Sequence, residues 1–129
     1  MIKRSKINLL FFIIHSLIKI KGFKWISEKL EERKNKIKVF NDLALEHAYQ
    51  VCSEIEEVRD KHLLKNKAQC LHRSLLGFFI FLQKNIEVTF CLGIHKEKFE
   101  AHAWLEYKNK VINDEHDAIK KNFNVIYKF

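Results

Sequence analysis

Proline is absent from the 129 residues and glycine occurs only three times, so the chain has little of the punctuation that breaks helices and turns hairpins. Element boundaries must be read from hydrophobic periodicity instead. Cysteine is sparse as well: Cys52, Cys70 and Cys91 are an odd number with no short paired spacing. That argues against a disulfide scaffold and fits a reducing cytosol. Zinc needs several closely arranged ligands, and Cys70-Leu71-His72 is a poor pair on its own, so neither metal nor other cofactor is expected. Repeats and low-complexity tracts are also missing, and 47% apolar with 31% charged residues is not the composition of a disordered chain. This length supports one compact domain with a real core.

Acidic residues are scarce at the N-terminus. Residues 1–40 hold 11 of the 24 Lys+Arg but 3 of the 16 Asp+Glu, and the remainder is balanced, so the whole net charge of +8 arises there. We therefore divide the chain into a basic helical region, 1–40, and a core, 41–129. The ordinary reading of such a charge is a solvated surface; functional readings are an acidic peptide or protein, an anionic membrane surface, or RNA. No motif favours nucleic acid, because the aromatics fall in core segments rather than between basic residues. "MIKRSK" before "INLLFFIIHSLI" has the basic start and apolar run of an export signal. "KIKGFKW" follows where a small-residue cleavage site would stand, and the run is short of the ~20 residues a membrane span requires. A helix docked on its own domain is the first expectation, and peripheral membrane contact through residues 7–20 the second.

The pattern predicts helices over 5–20, 25–34, about 42–63, and through "CLHRSLLGFFIFL" from residue 70. Leu45, Ala48, Cys52 and Ile55 share one face of the third, which makes Cys52 a core residue by default. β-branched and aromatic residues then predict strands over 86–93, 100–107, 110–114 and in the C-terminal "FNVIYKF". Helices first and a small antiparallel sheet afterwards make an α+β fold.

Cys70 lies at the opening of the fourth helix. Unpaired amide N–H groups there favour the thiolate and would hold an oxyanion formed by attack on an amide carbonyl; Gln69 would add a side-chain donor. A cysteine in such a place is also a common structural filler. A base is needed, and His102 is the histidine embedded in a strand, sharing a face with Trp104 as a cleft lining would. A half-buried histidine bonded to backbone is the plain alternative. A carboxylate to orient the ring comes from the next strand. A three-residue loop at Lys108, Asn109 and Lys110 pairs Tyr107 with Val111 and sets Asp114 diagonal to His102; a two- or four-residue loop pairs Glu106 with Val111 and favours Glu115.

The segment "CLHRSL", the strand ending "LGI", "HAWLEY" with its histidine 32 residues after the cysteine, and an aspartate 12 residues further on together resemble the transglutaminase-like cysteine proteases of lasso peptide biosynthesis. The resemblance covers roughly residues 44–129. It implies a transglutaminase-like, papain-like fold with the catalytic cysteine at a helix start packed on the sheet. It further implies a leader peptidase that cuts a ribosomally made precursor between leader and core, with Cys70 as nucleophile, His102 as base and Asp114 as orienting acid. Implied partners are the precursor peptide, a small leader-recognition protein and an ATP-using macrolactam cyclase, all in the cytoplasm. Asn109 departs from the glycine usual in that hairpin turn. A transamidase would share every step except the last. The competing reading is a non-enzymatic basic module that binds a peptide, a partner protein or a membrane while Cys70 and His102 merely pack.

Overall fold

The computed structural model describes residues 3–62 and 70–129. Four helices come first: α1 Arg4–Ile20, α2 Phe23–Asn35, α3 Leu45–Lys61 and α4 Cys70–Gln83. Helix α1 buries Ile7, Phe11 and Ile14, a stripe at spacings of 4 and 3 that lies along one face. It ends at Gly22, whose φ of +86° suits a residue without Cβ; the Gly22 N–H returns to the Leu17 and Ile18 carbonyls at 3.2 and 3.1 Å. The same glycine caps the start of α2, so one residue closes one helix and opens the next.

Helix α4 is the centre of the molecule. It is apolar nearly all round, burying Leu75, Leu76, Phe78, Ile80, Phe81 and Leu82, as a helix covered on several sides must be. Helices α1, α2 and α3 pack on it, and its remaining face lies on the sheet. The buried residues of α1 and α2 belong to that same core, so the basic region is not a separate body. The predicted third face is also found: Ala48, Cys52 and Ile55 are buried and Leu45 is half-buried.

The sheet consists of β1 Thr89–His95, β2 Ala101–Tyr107, β3 Lys110–Val111 and β4 Phe123–Lys128, in the order β3-β2-β1-β4. All its pairings are antiparallel. The hairpin from β2 to β3 differs from the expected three-residue loop. Tyr107 pairs with Lys110 and Glu106 with Val111, so the loop has two residues, Lys108 and Asn109, with φ of +51° and +64°. Two left-handed residues in a row give a turn whose twist matches the strands it joins. Lys108 is fixed in it by a 2.9 Å ion pair with Asp42.

A short fifth helix, α5 His116–Asn122, had no counterpart in the sequence pattern. It covers the far side of the sheet, where Cys91, Trp104, Val111 and Ile119 form a second small core. Trp104 is therefore not a cleft lining as expected: it is 1% exposed, and its Nε1–H donates to Glu106 Oε2 at 2.9 Å. Its ring lies over Gly93, where a Cβ would come within 2.6 and 2.8 Å of indole carbons and 3.0 Å of the Asn124 carbonyl.

Gly93→Ala must push a rigid buried ring or a strand backbone, and neither gives cheaply. A loss of about 1–3 kcal/mol is expected from such overpacking, read as a lower urea midpoint at unchanged m-value.

Candidate active site

Two consecutive residues of α4 grip two consecutive residues of the segment after β3. Arg73 Nη2 donates to Asp114 Oδ2 at 2.8 Å. Asn113 Nδ2 donates to Ser74 Oγ at 2.9 Å, while Asn113 Oδ1 accepts the Leu105 N–H at 2.8 Å. Ser74 Oγ in turn donates to the Ala103 carbonyl at 3.2 Å. Because pairing stops at Val111, the chain leaves the ladder and Asp114 is free of strand register.

That escape decides which of the two carboxylates reaches the imidazole. A two-residue loop would favour Glu115 if the strand continued; with the strand ended, His102 Nε2 and Asp114 Oδ2 lie 2.7 Å apart. Asp114 Oδ1 accepts the Glu115 N–H at 2.8 Å, so Glu115 contributes its backbone. Nε2 is occupied by Asp114, which leaves Nδ1 as the ring nitrogen available to the Cys70 sulfur, and the thiol and imidazole lie close enough for each to shift the titration of the other. The three residues named from the sequence are thus adjacent. Gln69, named as an oxyanion donor, lies outside the described residues.

The charges in this cluster reinforce one another. The hydrogen bond from His102 holds Asp114 down at about 2, against the opposing effect of burial and with help from the Glu115 N–H and the Arg73 charge. The bond to Asp114, then the bond to Cys70, raises His102 to about 9 although burial works the other way. Burial pushes the Cys70 thiol up, but the His102 bond, the Ala103 N–H and the His102 and Arg73 charges outweigh it, and its pKa falls below the ordinary value. At neutral pH the ring is an imidazolium, and its charge favours the thiolate form of Cys70. The other thiols show the contrast: burial drives Cys52 and Cys91 up to about 12.

His72, two residues from Cys70, is not the base. It is buried, and its Nε2 meets His15 Nδ1 of α1 at 3.1 Å. Burial, then the His15 charge, depresses it to about 4, so it stays neutral. Among the described residues no group of three His, Cys, Asp or Glu is placed to hold a metal ion. Arg73 and Asn113 are site residues that the sequence reading passed over. The available signal for Arg73 is its position three residues after Cys70, on the same side of the helix.

Iodoacetamide should alkylate Cys70 selectively, with a half-maximal rate below the ordinary thiol pKa of about 8.5; peptide mass spectrometry across pH reads this site by site. His102→Ala should move the midpoint up toward that value. Equal, sluggish labelling of all three cysteines would contradict the ion pair. The same shifts affect stability with opposite signs. The depressed Asp114 contributes above its unfolded value of about 3.9, a contribution lost as pH falls through about 2. The raised His102 contributes fully below about 6.5, and its share is lost as pH rises through about 9.

A four-stranded antiparallel sheet with a cysteine-bearing helix packed on it, and a His–Asp pair meeting that cysteine, set a fold and a side-chain arrangement against which family membership can be judged. No curated protein and no solved structure matches the chain significantly. One family model does, over residues 13–128, beginning inside α1 and taking in every strand and all three site residues. With nearly the full length matched, the chain belongs to the transglutaminase-like superfamily.

Proposed function

We propose that this chain is a cysteine peptidase that removes the leader from a ribosomally synthesised lasso peptide precursor, using Cys70, His102 and Asp114. The observation that carries the reading is a single imidazole, His102, bonded through Nε2 to Asp114 and close enough to Cys70 for the two to interact. The superfamily, commonly cysteine peptidase-like, supports the chemistry. The spacing of "CLHRSL", "HAWLEY" and Asp114 supports the substrate class by resemblance.

On this reading the Cys70 thiolate attacks the carbonyl at the leader-core junction, forming a carbon–sulfur bond. Negative charge collects on the carbonyl oxygen and is met by backbone N–H groups at the start of α4. The His102 imidazolium gives its proton to the departing core amine as the carbon–nitrogen bond breaks. Neutral His102 then takes a proton from water, which hydrolyses the thioester and releases the leader, restoring the thiolate–imidazolium pair. Asp114 stays ionised throughout and keeps the ring in one tautomer.

The basic surface of residues 1–40 is, on the same reading, where a small leader-recognition protein or acidic leader residues dock, before an ATP-using cyclase takes the released core. Some of its cations already have internal work. Arg4 pairs with Glu57 at 2.8 Å, and half-buried Lys34 donates to the Val88 carbonyl at 3.0 Å. Lys3, Lys6, Lys36 and Lys38 are the better docking candidates. No described helix is long and apolar enough to cross a membrane; peripheral contact through the exposed Leu9, Phe12 and Ile13 of α1 is the alternative use of this surface.

Incubation with the precursor peptide encoded nearby and any small recognition protein tests the proposal. Wild type should cleave at one leader-core junction and Cys70→Ala should not, with products identified by mass spectrometry. A product carrying an added amine would indicate transamidation, and no cleavage under any combination would favour a non-enzymatic binding module. The rate should fall as pH rises through about 9, where His102 loses the proton that the leaving amine requires. Changing Lys3, Lys6, Lys36 and Lys38 together to Gln should weaken low-salt capture of the recognition protein; unchanged capture would remove this surface from the account.

A further inference from the structure

Arg73 is placed where it can govern the geometry of the site without touching a substrate. Its guanidinium is 13% exposed and spans two carboxylates: Nη1 donates to Glu56 Oε2 of α3 at 2.9 Å and Nη2 to Asp114 Oδ2 at 2.8 Å. Glu56 is itself held from behind by Arg59, at 2.7 Å. The oxygen that Arg73 chooses on Asp114 matters, because Oδ2 is the one His102 Nε2 engages at 2.7 Å, while Oδ1 is taken by the Glu115 N–H. Arg73 also sits one helical turn from Cys70 on α4.

We infer that Arg73 is a positioning residue: it ties the helix that bears the nucleophile to the acid that orients the base, so that Cys70, His102 and Asp114 keep one mutual geometry. The inference rests on the peptidase reading and adds to it the means by which α4 and the segment after β3 stay in register. A planar fork with fixed donor directions suits this task. Lysine offers one compact ammonium and cannot hold Glu56 and Asp114 in the same directions at once. The neighbouring Ser74–Asn113 bond fastens the same two pieces of chain, which shows that the contact between them is built from more than one attraction of charge. The charged and titratable groups around the guanidinium are Glu56, Arg59 and Cys52 of α3, Cys70 of its own helix, and His102 and Asp114 from the sheet side.

A residue that acted only through its charge would leave the Cys70 midpoint unchanged in Arg73→Lys, which keeps that charge. The test follows alkylation of Cys70 by iodoacetamide against pH, in the full chain, for wild type, Arg73→Lys, Arg73→Met and Glu56→Gln, with a melting curve for each. Folded Arg73→Lys should show its alkylation midpoint raised by about one pH unit, and hence a rate lower by about tenfold at pH values below both midpoints. Glu56→Gln should move the midpoint in the same direction by less, because Arg73 loses its rear support; a pure charge effect would move it the other way, since removing an anion favours the thiolate. Folded Arg73→Lys and Glu56→Gln with the wild-type midpoint, or Glu56→Gln with a lowered one, would overturn the inference. Loss of fold in every variant would overturn it as well, by assigning Arg73 to the fold rather than to the site. A wild-type midpoint at the ordinary thiol value would sink the peptidase reading instead, so the two failures are distinguishable.

Discussion

One carboxylate oxygen, Asp114 Oδ2, meets His102 from the sheet at 2.7 Å and Arg73 from α4 at 2.8 Å. It is the point at which the helical layer and the sheet are held to a common geometry. The shape of the surrounding chain serves that meeting. Strand β3 is only two residues long, which lets the backbone turn out of the ladder; Asn113 then occupies the Leu105 N–H that a third strand residue would have taken. Had pairing continued, alternation of side chains would have fixed which acid faced His102.

Charge alternates along this cluster, from Arg59 to Glu56, Arg73, Asp114, His102 and Cys70. Half-buried charges are costly alone and tolerable when each has opposite neighbours, and removing one partner of a buried pair typically costs about 3–5 kcal/mol. The same arrangement that makes these groups compatible with the interior sets their protonation. An acid that stays ionised supports a base that stays protonated, and the protonated base supports the thiolate. Cys52 and Cys91 are buried where Cys70 is half-buried, have no imidazole partner, and are driven in the opposite direction, Cys91 with a further push from Glu106. Burial acts the same way on all three thiols; what separates Cys70 is the neighbouring imidazole, helped by the Ala103 N–H and the Arg73 charge.

Much of this was legible in the sequence because it depends on local pattern. The stripe Ile7, Phe11, Ile14 and the β-branched and aromatic runs of β1 and β2 follow from spacing and residue type, whereas the choice of Asp114 came from the family resemblance, since the two-residue loop that forms would by register alone have favoured Glu115. What escaped depends on tertiary context. Helix α5 has only seven residues, too short for periodicity to declare it, and without it Trp104 reads as a cleft lining instead of a buried ring. The hairpin register turned on Lys108 adopting a left-handed backbone, which its residue type disfavours and its ion pair with Asp42 accompanies. Arg73 was seen only as part of a motif, since its partners lie 17 and 41 positions away.

The central claim is that His102 is an imidazolium at neutral pH because Asp114 and Cys70 flank it. Titration of the His102 ring by NMR, assigned through a His102 variant and repeated in Cys70→Ser, measures this directly. The account predicts a midpoint near about 9 in the wild-type chain, falling when the sulfur is replaced; a midpoint near about 6.5, the usual histidine value, in both proteins would contradict it.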